Sequence, residues 1–186
     1  MQLSTIANLE GFYYRPRVDH DLLERYNKGL IVLSGCIGGE VGDALRSEQY
    51  KEAKRIASWY KKIFGDRYYL EVQDHGHEDH PSKWDEQVAV TKLTLQLAEE
   101  LDIPCVLTCD AHYLKQKDQE AHEVLLCVQT GSYLDDKQRM SLANFELHVT
   151  DPKEIIKRWG QKYPELIRNT SLIAERCDVK LELGRI

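Results

Sequence analysis

The chain has 186 residues and a formal charge of −6, from 25 basic and 31 acidic side chains. Its 42% hydrophobic and 30% charged residues fit one globular domain, a size that buries roughly 70% of its unfolded surface, and exclude disorder along the whole chain. No apolar run approaches the roughly 20 residues of a membrane span, the start Met1-Gln2-Leu3-Ser4 lacks the pattern of a secretory signal, and the acidic balance is a poor unassisted grip on a phosphate backbone. The five cysteines (Cys36, Cys105, Cys109, Cys127, Cys177) are scattered, with no Cys-x-x-Cys pair, so they read as reduced thiols of a cytoplasmic protein, several of them buried.

Residues 1–28 read as a helix, a turn at Gly11–Arg17, and a second short helix capped by Asp19 that carries Leu22, Leu23 and Tyr26 and stops at Gly29. Leu30–Leu33 is a short apolar run between glycines and predicts a buried strand, followed by the glycine-rich loop Ser34–Glu40. Tyr50, Ala53, Ala57, Tyr60 and Phe64 recur at helical spacing and predict a helix over 47–64. Arg67–Val72 is β-prone; Gln73–Pro81 is a polar loop; residues 82–101 predict a helix with Trp84, Val88, Leu95 and Ala98 on one side. Pro104 sets up a third strand, Cys105–Thr108, which runs into Asp110-Ala111-His112. Further helices are expected at Glu120–Gln129, from the cap Asp151 with Pro152 behind it, and at Pro164–Arg176; Val179–Leu183 has strand character. Alternating strands and helices predict an α/β fold with a parallel sheet and crossover helices.

In parallel α/β folds, functional groups gather at the carboxyl ends of strands. Here those ends carry Cys36, then Glu71 to His75, then Asp110 and His112. Asp110 and His112 are separated by one residue, so on a continuing strand both face the same way, and thiolate, carboxylate and imidazole are all zinc-type ligands. Glu71 and His75 are the weaker candidates beside the site. Each has a plainer reading: Asp-x-His is a short motif, Cys36 fits a small packed residue, and Cys109 points to the opposite face. His75, His77 and His80 form a cluster in an acidic, solvated loop. Tyr13, Tyr14, Arg15 and Arg17 mix aromatic and basic residues as single-strand binders do, although an ordinary surface turn suits a net acidic chain. His122 and Glu123 read as ordinary cap or face residues of a helix.

Several stretches together carry a family resemblance: Gly11–Asp19, Gly29–Glu40, Tyr69–Gly76, Thr108–Leu114, Asp118–Gly131 and the ending Asn169–Cys177. In this order they resemble the PHP (polymerase and histidinol phosphatase) domain of bacterial DNA polymerase III alpha subunits, and specifically its C-terminal part. The resemblance implies a partial, distorted TIM-like (β/α)7 barrel over residues 1–130 and a helical C-terminal extension over 131–186 leading toward the polymerase palm. It implies a phosphoesterase or 3′–5′ exonuclease centre of zinc, manganese or iron, with Cys36, Asp110 and His112 matching family ligands, and magnesium for the parent polymerase. Cys109 stands where the family usually has asparagine. The family's leading His-x-His strand and its further ligands have no counterpart here, so a remnant metal site is expected, with little or no phosphoesterase activity; the alternative is a non-catalytic scaffold or docking module. The implied partners are the rest of the alpha chain, a proofreading subunit or other replisome proteins, and DNA through the parent protein, with no membrane. An incomplete barrel also exposes strand edges, which predicts self-association unless residues 1–28 cover the edge.

Overall fold

A computed structural model describes residues 1–76, 85–180 and 183–184. The first helix, α1 (Gln2–Leu9), leads into a small antiparallel hairpin, β1 (Phe12–Tyr13) and β2 (Arg15–Pro16), where the sequence suggested only a turn. Pro16 is tolerated because this ribbon is an exposed edge, where a missing N–H costs no ladder bond. Helix α2 (His20–Arg25) begins as expected: the Asp19 side chain accepts the Leu22 N–H at 2.9 Å. His20 fastens it to the body, with its ring stacked 4.1 Å from Trp59 and Nε2 at 2.9 Å from Glu40.

Strand β3 (Val32–Leu33) is shorter than expected. Its approach is fixed by Arg67, whose guanidinium donates to the carbonyls of Asn27 and Leu30 and to Asn27 Oδ1. The helix expected over 47–64 forms as α4 (Tyr50–Phe64), and a further helix that was not expected, α3 (Glu40–Arg46), precedes it. The chain turns between them through Glu48 at φ 58°, and the Gln49 N–H returns to the Ala44 carbonyl at 2.8 Å. Helix α3 hides Val41, Ala44 and Leu45, a one-turn apolar spacing too short to stand out beside the longer pattern. Helix α4 buries Ala53, Ala57 and Phe64 from the expected face.

Strand β4 (Tyr68–Gln73) is central and hides nearly every side chain, which accounts for its continuous apolar and aromatic run. Helix α5 (Asp85–Leu101) buries Gln87, Val90, Thr94, Leu97 and Ala98, so its inner face is rotated from the expected one and Val88 is exposed. Trp84 lies outside the described residues. Strand β5 (Cys105–Thr108) completes a parallel sheet in the order β3-β4-β5, with Val32 opposite Tyr68 and Leu70 opposite Cys105. The crossovers β3–α3–α4–β4 and β4–α5–β5 place all three carboxyl ends along one edge.

Helix α6 (Gln119–Thr130) ends at Gly131 in the left-handed region, φ 67°. Helix α7 (Pro152–Trp159) starts from Asp151, whose side chain accepts the Lys153 N–H at 2.8 Å. Helix α8 (Pro164–Arg176) packs against β5 and buries Leu166 in the common core with Leu70, Phe64 and Leu97. The carbonyl of Pro104, just before β5, accepts from Leu70 and that of Thr108 accepts from Asp74, so the Cys105 carbonyl faces away; Asn169 Nδ2 donates to it at 2.6 Å. The edge of β5 is therefore met by α8. No strand forms at Val179 and Lys180, and residues 181 and 182 of the expected last strand lie outside the described residues. Among the described residues no helix is long and apolar enough to cross a membrane.

Candidate functional site at the carboxyl ends of the strands

The edge is built around carboxylates. Glu71, one residue past the middle of β4, is fastened on three sides. Thr108 Oγ1 donates to Oε1 at 2.7 Å, Gln73 Nε2 donates to Oε1 at 3.3 Å, and the Gly35 N–H donates to Oε2 at 3.2 Å. Ser34 Oγ in turn accepts the Glu71 N–H at 2.9 Å. Glu71 thus stitches the loop after β3 to the end of β5.

Cys36 lies in that loop, exposed, with the Gly38 N–H 3.4 Å from its sulfur. It lines a cavity of about 10 Å³ together with Ser34, Glu71, Gln73, Gln87 and Thr94. That is room for about one water. Among the described residues the side-chain oxygens of Gln73 and Gln87, both buried, have no hydrogen-bond partner. Neither Asp110 nor His112 borders this cavity.

Asp110 and His112 meet a different neighbour. The Asp110 carboxylate accepts from His75 Nε2 at 3.1 Å, and His112 Nδ1 donates to the Asp110 carbonyl at 2.6 Å while standing 4.0 Å from its Oδ1. Asp110 has φ 45°, so the backbone leaves the strand direction there and the expected same-face arrangement on a continuing strand does not apply. The His75 hydrogen bond holds the Asp110 carboxyl below the usual range against the opposing effect of burial, with the charges of His112 and His75 adding to it. The His112 ring lies 5.4 Å from that of His122, which thus borders the site instead of serving only as a helix-face residue. His77 and His80 lie outside the described residues.

A second set of groups went unnoticed in the sequence. Asp74 is 3% exposed and Glu146 is 8% exposed, and both receive Arg158 of α7: Nη1 is 3.3 Å from Asp74 Oδ2 and 2.8 Å from Glu146 Oε2. The Gly76 N–H donates to Asp74 Oδ1 at 3.0 Å, and the Glu146 N–H donates to the His75 carbonyl at 2.9 Å. Cys109 abuts this cluster; burial and the nearby Asp74 charge push its thiol up, so it is a packed and unreactive group. Glu123, only 6% exposed on α6, gathers Arg139 Nη1 at 2.6 Å, Ser141 Oγ at 2.7 Å and the Leu142 N–H at 2.9 Å. It is an anchor for the 139–142 loop, not the surface residue the sequence suggested. The following strip, 146–149, reaches the strand ends through the His112 N–H to the Leu147 carbonyl, 2.7 Å, and a parallel bridge between Tyr113 and His148.

Among the described residues no three His, Cys, Asp or Glu side chains converge as a metal ion requires. The expected donors are divided: Cys36 and Glu71 at one cavity, His75, Asp110 and His112 beyond it. The carboxylates are already matched to protein donors, so this donor set does not fit a multi-metal cluster.

Residues 1–75 match the model of the PHP domain. Over nearly its whole length the chain is similar to proteins named DNA polymerase III subunit alpha. It is 36% identical to that of Borreliella burgdorferi over 96% of this chain and 15% of the relative. It is 38% identical to that of Deinococcus radiodurans over 99% of this chain and 13% of the relative. It is 38% identical to that of Treponema pallidum over 97% of this chain and 15% of the relative. The chain therefore spans roughly a seventh of the length of these relatives.

Proposed function

We propose, from the premise that residues 1–75 carry a PHP domain and that the chain is homologous to a segment of DNA polymerase III alpha subunits, that it serves as a structural segment of a replicase. Its three parallel strands are then an arc of the (β/α)7 barrel of that domain. Residues 1–130 are the partial PHP unit, and residues 131–186 are the helical extension toward the polymerase palm. The rest of an alpha chain is the first partner, a proofreading subunit or another replisome protein a second, and DNA is engaged through the whole protein, whose nucleotidyl transfer uses magnesium.

One observation carries the structural reading. Each carboxylate at the strand ends is taken up by a protein donor: Glu71 by Thr108, Gln73 and Gly35, Asp110 by His75, and Asp74 with Glu146 by Arg158. Hydrolysis of a phosphoester by metal ions needs such oxygens open toward the metals, with a water position left on them. Carboxylates spent on holding three loops together support a scaffold.

A second reading, a remnant site for a single divalent ion such as zinc, manganese or iron, is favoured by the closeness of His75, Asp110 and His112. There Asp110 and His112 would be the ligands, while Cys36 lines a cavity that neither of them borders. The discriminating experiment is hydrolysis of a 3′-labelled oligonucleotide by the purified chain with manganese or zinc added. The expected result is no metal-dependent release of nucleotides. Release that disappears in Asp110→Ala would overturn the scaffold reading and install the second.

A further inference from the structure

We propose that the hairpin β1–β2 is a platform for single-stranded nucleic acid, on which bases stack against Tyr13 and Tyr14 while Arg15 and Arg17 take the phosphates. The proposal stands apart from the strand-end site and holds whether or not that site binds metal. Three neighbouring rings are turned to solvent: Phe12 is 60% exposed, Tyr13 63% and Tyr14 82%. Large aromatic surface left in water is unfavourable by itself, and a cluster of it marks a contact surface. The flanking charge selects the kind of contact. Within the hairpin, from Gly11 to Val18, the chain carries two arginines and no acidic residue, with Glu10 and Asp19 just outside it and a charge of −6 over the whole chain. Both arginines are exposed, and among the described residues neither pairs with a carboxylate. Exposed rings beside unneutralised guanidinium groups are what base stacking and phosphate contact require together.

The platform is preformed. The Arg17 N–H donates to the Gly11 carbonyl at 3.2 Å and closes the base of the hairpin. Gly11 is required there, since a Cβ would sit 2.3 Å from the Arg17 carbonyl oxygen. Tyr14 occupies the tip at φ 58°, its ring packed edge-on 4.7 Å from that of Tyr13, and the Arg17 guanidinium lies 5.1 Å over the Tyr13 ring. Little side-chain and backbone freedom is then lost when a strand binds.

The test is fluorescence anisotropy of a labelled oligothymidylate of about 15 nucleotides titrated with the chain at low salt, beside a duplex of equal length. Tyr14→Gly removes a ring while keeping the left-handed backbone, and Arg15→Gln removes a charge; both positions are exposed, and circular dichroism verifies that the variants fold. Expected are binding of the single strand with at least tenfold preference over the duplex, about tenfold weaker binding by Tyr14→Gly, and a salt slope lowered by about 0.7 in Arg15→Gln. Wild-type chain that fails to bind, variants that bind like wild type, or equal affinity for the duplex would overturn the proposal. So would a loss of self-association in Tyr14→Gly without any change in strand binding, which would assign the rings to a protein contact.

Discussion

Replacing Arg158 by methionine is expected to lower the stability of the chain by about 3–5 kcal/mol, read as a shift of the urea unfolding midpoint at neutral pH. The guanidinium is the shared partner of two carboxylates that water scarcely reaches, Asp74 at 3.3 Å and Glu146 at 2.8 Å. Removing the cation takes away a donor shared by two negative charges that water scarcely reaches. Methionine keeps most of the volume, so the loss reports the charge and not a cavity. Arg158→Met combined with Asp74→Asn should recover part of the loss, because one uncompensated charge goes with its partner. A loss below about 1 kcal/mol would mean that water solvates the cluster and that α7 is held to the sheet by apolar packing alone.

Glu123→Ala is the second large effect, expected to lower the urea unfolding midpoint at neutral pH, because it takes the carboxylate from Arg139 and strips the 139–142 loop of its anchor. The sign of its pH dependence follows from the site. Burial raises the Glu123 carboxyl, but the hydrogen bonds from Ser141, Arg139 and the Leu142 N–H outweigh it and hold the group below its usual value. A carboxylate depressed in the folded state stabilises that state above its unfolded value of about 4.3, and the gain is lost as pH falls through the lower folded value. The difference in stability between wild type and Glu123→Gln is therefore expected to be full at pH 6–7 and to shrink below about pH 4, measured by denaturation at a series of pH values. A difference that grows on acidification would contradict this assignment.

What the sequence made legible was local. Asp19 and Asp151 cap helices because a short side-chain oxygen followed by a helical run has one favourable use, and both bonds form. The strand Cys105–Thr108 stands out because Pro104 and the apolar run bound it on both sides, and it pairs along its whole length with β4. The rule that parallel strands gather polar groups at their carboxyl ends led to Cys36, Glu71, His75, Asp110 and His112. Cys36, His75, Asp110 and His112 lie past the ends of their strands and Glu71 lies within β4, and the structure divides the five between two places. The division was not readable, because it depends on the left-handed turn of Asp110 and on which carboxylate each loop captures. Arg158 was illegible for a simpler reason. It lies 84 residues from Asp74, and nothing local on a charged, amphipathic helix distinguishes an arginine that turns inward from one that faces water. Glu123 was missed in the same way: its partners come from an irregular loop whose path has no periodicity to read.

The account rests on strand-end carboxylates that are fastened to protein donors instead of to metal ions. The most direct test is the metal content of the purified chain after equilibration with zinc or manganese and removal of free ion, wild type beside Asp110→Ala. Little or no retained metal in either protein is the expected result. About one equivalent retained by the wild type and lost in Asp110→Ala would contradict the account, since it would mean that the His75–Asp110 contact opens to coordinate an ion.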